Sequence, residues 1–188
     1  MTIHPSSREV DVVLLDGSIV HVCPVNPSDA PAVTLLLKGL SDRSRWMRFF
    51  SAFPDLAKAA RWATEVDNDR RYGLVATVDG HGQMVGHAGL ERESDRPERA
   101  EVALEIADAM QGKGLGTALL RQLAEAANEL GVQVLDAEVL PENRQMIRVL
   151  CDCGYPVKVH SLPGAQLVEV RTSLTATGLK PLKDNQAA

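Results

Sequence analysis

The sequence predicts an α/β fold: one domain on a mixed, mostly antiparallel sheet of about seven strands flanked by helices, and three observations carry this. From Val102 to Ile106 apolar and polar residues alternate, with Val102, Leu104 and Ile106 on one face and Glu101, Ala103 and Glu105 on the other, the period of a half-buried strand. Next come Gly112, Gly114 and Gly116, followed by Leu115, Leu119, Leu120, Leu123, Ala126 and Ala127 at helical spacing, which reads as strand, tight turn and long amphipathic helix. Upstream, two apolar runs bend at Asp16-Gly17 and two more at Asp79-Gly80, each the signature of an antiparallel hairpin.

Taken in order, residues 1–9 are polar and are expected to be flexible. Val10 to Leu15 and Ile19 to Val25 make the first hairpin. Asn26-Pro27-Ser28-Asp29 supplies a capping side chain, a first-turn proline and an acid, so a helix should start there and run to about Gly39. Ser41 opens a second helical stretch through Phe50, in which Trp46, Phe49 and Phe50 share a face expected to meet the core, with direct substrate contact the alternative, largely opposite Arg43, Arg45 and Arg48. Pro54 ends it, and Leu56 to Val66 resumes a helical pattern. Tyr72–Val78 and Met84–Leu90 form the second hairpin, and a charged loop over Ser94 to Pro97 leads to the alternating strand. Past the long helix, Gly131 is placed as its stop and Gln133–Val139 as a strand. A helix should run from Pro141 through about Cys153, before closing strands at Val157–His160 and Leu167–Thr172. The domain therefore spans residues 10–174, with 175–188 a flexible polar tail.

The formal charge of −5 argues against nonspecific nucleic-acid binding, which needs a basic surface. No charged-then-apolar leader and no apolar run of membrane-span length stands in the chain, so a cytoplasmic location without a membrane partner is expected. Cys23, Cys151 and Cys153 form neither an even disulfide set nor a zinc spacing, so they read as reduced core thiols with no metal.

The glycine turn is where chemistry is expected. Glycines let a ligand approach the main chain, and the helix that follows offers unpaired N–H groups and its positive dipole end, which suits a phosphate. A dinucleotide fingerprint fails at Thr117, and a Walker A loop lacks its Gly-Lys-Ser/Thr ending. What stands there is Gln111-x-x-Gly114-x-Gly116, which resembles the acetyl-CoA pyrophosphate loop of the Gcn5-related N-acetyltransferase (GNAT) superfamily. Asn143 followed by a helix, Gly154 and Tyr155 is similar to the later motif of that superfamily. Asp16–Ala30, Ser44–Phe50 and Ala137–Arg144 resemble the acetyltransferase domain of bacterial protein lysine acetyltransferases, including the cyclic-AMP-regulated mycobacterial type, and the likeness covers roughly residues 10 to 172. No cyclic-nucleotide-binding or acyl-CoA synthetase-like domain is recognised in the chain.

The resemblance implies acetyl-CoA as co-substrate and an amine acceptor, a protein lysine such as one on an acyl-CoA synthetase. It implies Gln111, Gly112, Lys113, Gly114, Leu115, Gly116 and Thr117 around the pyrophosphate, the main chain of Leu104 and Ile106 along the pantetheine, and Asn143 on that arm. Lys113 reads equally as a solvated loop lysine, and Asn143 as a helix cap. A lysine acceptor, with a reference pKa of ~10.4, must first lose its proton, so a base is needed. Glu101 is the first choice, Glu105 the reserve and His87 a third; two carboxylates in one enclosed site would raise at least one pKa. Where many relatives place a tyrosine to protonate the leaving thiolate, this chain has Leu150, and Tyr155 reads as packing. A small-amine acetyltransferase and a non-catalytic acyl-CoA-binding module are the alternatives.

Overall fold

A computed structural model describes residues 5–78 and 82–174. Its order is β1 (Val10–Val13), β2 (Ile19–Pro24), α1 (Ala30–Gly39), α2 (Asp42–Phe49), α3 (Leu56–Thr64), β3 (Arg71–Val78), β4 (Met84–Arg92) and β5 (Arg99–Ile106). After these come α4 (Leu115–Glu129), β6 (Val134–Val139), α5 (Arg144–Cys151), β7 (Val157–Leu162) and β8 (Ala165–Arg171). One sheet results, ordered β1-β2-β3-β4-β5-β6-β8-β7, with β5 and β6 parallel and every other pair antiparallel. It has eight strands rather than about seven, because both arms of the C-terminal hairpin join it: β8 docks on β6 and β7 becomes the outer edge.

Alternation along the strands sends side chains to two faces, and each face has its own core. On one, Val20, Val22, Leu74, Ala88, Leu90, Val102 and Leu104 meet Leu119, Leu120, Leu123, Ala126 and Ala127 of α4 and Leu150 of α5. On the other, Val75 meets Val33, Leu36 and Leu37 of α1 and Ala60 and Ala63 of α3. The central strands are therefore covered on both faces, and β5 is buried from Val102 through Glu105 instead of half-buried.

Local signals set most element ends. Gly17 turns at φ +83, and Asn26 with Asp29 closes a capping box. That box opens a 3-10 turn, Pro27–Asp29, before α1 proper begins at Ala30. The last helix starts at Arg144, later than Pro141, because the Asn143 side chain accepts the Met146 N–H and so fixes the first turn there.

Three expectations change. Residues 1–4, 79–81 (within the expected second turn) and 175–188 (the expected tail) lie outside the described residues, but the segment just after residue 4 is tied down. Pro5–Ser7 form a 3-10 turn, the Tyr72 hydroxyl donates to the Pro5 carbonyl at 2.8 Å, and Arg8 grips Gln122, Glu125 and Glu129 of α4. In α2 no residue is buried, and Trp46 and Phe50 remain 43 % and 38 % exposed. This helix lies over β5 and sends only Phe49 against the second core, while Trp46 and Phe50 find no apolar layer. Of the three free thiols only Cys153 is in the core; Cys151 is exposed because it closes the outer side of α5.

Gly73 and Gly89 flank His87 on the buried face. A Cβ on Gly73 would stand 2.8 Å from Val25 Cγ1 and 3.3 Å from His87 Nε2. Gly73→Ala is accordingly expected to cost about 1–3 kcal/mol through overpacking, read as a lower urea midpoint at unchanged slope.

Candidate active site

The site lies where the sheet splits. β6 pairs with β5 only over Arg99–Glu101, against Val134–Asp136, and the two strands then part. The Ala107 N–H donates to the Val85 carbonyl at 2.9 Å, and alternation in an antiparallel ladder carries that phase along β5. The peptide groups of Ala103 and Glu105 therefore point to β4, while those of Leu104 and Ile106 point into the split. The Gln111 side chain donates to the Ile106 carbonyl at 3.1 Å, which leaves the N–H and C=O of Leu104 and the N–H of Ile106 as the free strand edge inside the cleft.

Beyond the strand, a 3-10 turn (Asp108–Met110) delivers the chain to the glycine loop. Gly112 and Gly114 take φ of +74 and +89, a region that side chains with a Cβ disfavour. This bend turns the main chain so that no N–H of residues 112–117 donates to another described residue, a ready cradle for an anion. Leu115 puts only its backbone there, since its side chain is 1 % exposed in the core. Lys113 extends from the loop but shares its charge with Asp16 at 3.0 Å. The first hairpin is pinned to the same loop by the Leu15 N–H, which donates to the Lys113 carbonyl at 3.0 Å.

Three cavities run along this path. One of about 700 Å³ surrounds Gly112, Gly114, Gly116 and Thr117. A second of about 360 Å³ lies over Leu104–Ile106 and Gln111, sharing Gln111, Arg144, Gln145 and Val149 with the first. The third, of about 300 Å³, holds Glu101, Phe49, Phe50 and Glu138 and shares Met47, Arg48, Leu104, Asn143 and Met146 with the second. The structure thus brings the glycine loop, the Leu104 and Ile106 main chain, Asn143 and Glu101 onto one channel, with Glu101 exposed at its far end.

The other two candidate bases are not on it as bases. Glu105 is buried, with Oε1 2.5 Å from Arg48 Nε and Oε2 2.7 Å from His87 Nδ1. Burial pushes its carboxyl up, but the Arg48 guanidinium and the His87 ring outweigh that and hold it down at about 2. Glu105 moves down and not up because Glu101 is four residues away, about 13 Å along the strand, while Arg48 and His87 touch Glu105 directly. His87 is 0 % exposed and walled in by Gly73, Gly89 and Trp62, so no acceptor reaches it.

The depressed Glu105 value has a definite sign. Stability from this carboxylate is fully present above its unfolded value near ~4.3 and is lost as pH falls from there through about 2. The melting advantage of the wild type over Glu105→Gln should shrink across that acid window and stay constant above it, as read by circular dichroism.

Several cleft residues had no sequence reading. Arg144 and Arg148, one turn apart on α5, line the loop cavity, and no described carboxylate pairs with either; their four-residue spacing after Asn143 was the available signal. Asp108 receives the Ser41 N–H at 2.6 Å and the Ser44 hydroxyl. Nothing in the linear sequence links residues that far apart.

The profile of the Acetyltransferase (GNAT) domain family matches residues 20–156. The chain belongs to this family. The GNAT domain of S. lividans PAT, a crystal structure, superposes with a TM-score of 0.79 at 36 % identity, covering 87 % of this chain and 96 % of that one. Acetyltransferase Pat of Mycolicibacterium smegmatis is 28 % identical over 145 residues, 77 % of this chain and 44 % of the relative. Acetyltransferase PA5475 of Pseudomonas aeruginosa is 27 % identical over 143 residues, 74 % and 76 % of the two chains. This GNAT domain therefore spans less than half the length of the M. smegmatis relative. Among its described residues no helix is long and apolar enough to cross a membrane.

Proposed function

We propose that this GNAT domain transfers the acetyl group of acetyl-CoA to the side-chain amine of a protein lysine, in the cytoplasm. The observation that carries the reading is the split between β5 and β6, which has an anion cradle at one end, a free peptide edge in the middle and an exposed carboxylate at the other. The main chain of residues 112–117 binds the diphosphate, with Arg144 and Arg148 closing on it from α5. Leu104 pairs its N–H and C=O with the pantetheine amides as an added strand would, and its N–H polarises the thioester carbonyl. Asn143 spends its amide oxygen on the helix cap and keeps its amide N–H groups for the pantetheine arm.

Glu101 acts as the base, directly or through one water. It takes a proton from the lysine ammonium and passes it to water; the amine nitrogen then forms its bond to the acetyl carbon, the carbon–sulfur bond breaks with its electron pair on sulfur, and the second proton that the nitrogen sheds on becoming an amide goes to Glu101. Leu150 is 0 % exposed in the core and offers no proton. The thiolate leaves unprotonated, which a thiol of pKa ~8.5 permits.

The protein acceptor is supported by the likeness to the PAT and Pat proteins, and an acyl-CoA synthetase is a fitting candidate. The test is incubation with acetyl-CoA and a panel of acceptors, acyl-CoA synthetase and small amines among them, read by free thiol and by mass of the acceptor. A lysine-bearing protein should gain 42 Da per site, the acetyl increment (about 42 by atomic mass). Thiol release no faster than in buffer overturns the reading.

A further inference from the structure

The front wall of the cleft is α2, and apart from Phe49, which packs on the second core, it is held by polar anchors at its two ends. It has eight residues and none is buried, well below the ~12–15 residues at which an isolated helix holds itself. At its N-terminal end it hangs on Asp108, through Ser41 and Ser44. At its C-terminal end Arg48 reaches Glu105. The carboxylate is itself fixed: its second oxygen meets His87, and Gly73 and Gly89 leave the space that the imidazole fills. Arg48 stands between Met47 and Phe49, and those residues with Phe50 line the cavity that holds Glu101.

We propose that Glu105 is a positioning residue of this enzyme: held by His87, it anchors Arg48 and so sets the distance between the Met47–Phe50 wall and Glu101 that an amine acceptor needs. The inference rests on the acetyl-transfer reading and adds what shapes the acceptor end of that site. Glu105 does not touch the reacting atoms, because both its oxygens are engaged. An ion pair suits the task because it is directional, and because a carboxylate left buried without its partner is costly. A wall out of place by about 1 Å is enough to lower turnover by about a hundredfold.

Arg48→Met, Glu105→Gln and the double variant test this, with Arg48→Lys as the conservative replacement. Arg48 lies at the surface of the cleft, so its variant folds even where the buried Glu105→Gln does not. Arg48→Met should lower kcat/KM for the acceptor by about a hundredfold and leave the Kd for acetyl-CoA within about twofold; Arg48→Lys should recover most of the loss. The double variant should be no worse than the poorer single one, as for two residues acting as a unit. Hydrogen exchange over residues 42–50 reads the anchor without any substrate, and it should quicken in Arg48→Met. Unchanged exchange there, strictly additive losses, or equal losses of acceptor turnover and acetyl-CoA affinity would overturn the assignment. A wild type that acetylates no acceptor would sink the acetyl-transfer reading, and the exchange experiment would still decide on the anchor.

Discussion

Glu101→Gln should lower kcat for amine acetylation by a factor between about 10² and 10⁴, the range that a positioned general base contributes, while the Kd for acetyl-CoA stays within about twofold. The reasoning is geometric. Glu101 is the last β5 residue paired with β6, so its side chain stands at the point where the split opens. It lies in the third cavity, away from the glycine loop, and its removal leaves the diphosphate and pantetheine contacts in place. Loss of turnover with retained binding marks a group that works on the proton. Steady-state kinetics with the acceptor found in the panel, together with calorimetric titration of acetyl-CoA, separates the two quantities. Loss of both together would assign Glu101 to binding, and loss of neither would remove Glu101 from the role of base.

The second large effect is expected at the opposite end of the channel. Gly114 holds φ +89, and a Cβ there would stand 3.3 Å from Leu15 Cγ, on a hairpin already bonded to the loop. A β-branched residue is a genuine outlier in that conformation. Gly114→Val must therefore swing the loop and take one N–H group off the diphosphate. Each hydrogen bond to a charged group is worth about 1.5–3 kcal/mol, so the Kd for acetyl-CoA should rise between about tenfold and a hundredfold. Turnover at saturating acetyl-CoA should change little, because Glu101 and the thioester end are untouched. Calorimetry of wild type and variant checks this, and an unchanged Kd would remove the cradle from the site.

Much of the frame was legible because its causes are local. Alternation of apolar residues, the Asp16-Gly17 turn, the Asn26 capping box and Gly131 after α4 act within a few positions of themselves, and each lies where the pattern put it. The glycine loop was readable for the same reason, since positive φ at Gly112 and Gly114 is a property of those residues. Phe49 packs on the second core as its spacing suggests, but Trp46 and Phe50 stay exposed, because apolar spacing says that a helix has a face and not what covers it. The fate of Glu105 was equally hidden. On the strand it alternates like Glu101, and only the arrival of Arg48 from α2 and His87 from β4 turned one carboxylate into a buried anchor and left the other free.

By itself, then, the sequence determined the strands, the helices, the glycine turn and the family, all of which depend on neighbours along the chain. The tertiary structure decided which glutamate is exposed, which main-chain groups stay unpaired and which helix closes the cleft. Those depend on groups brought together from far apart, such as Arg48 and Glu105, 57 positions from each other, and no pattern along the chain encodes the dielectric or the partners that a side chain meets after folding.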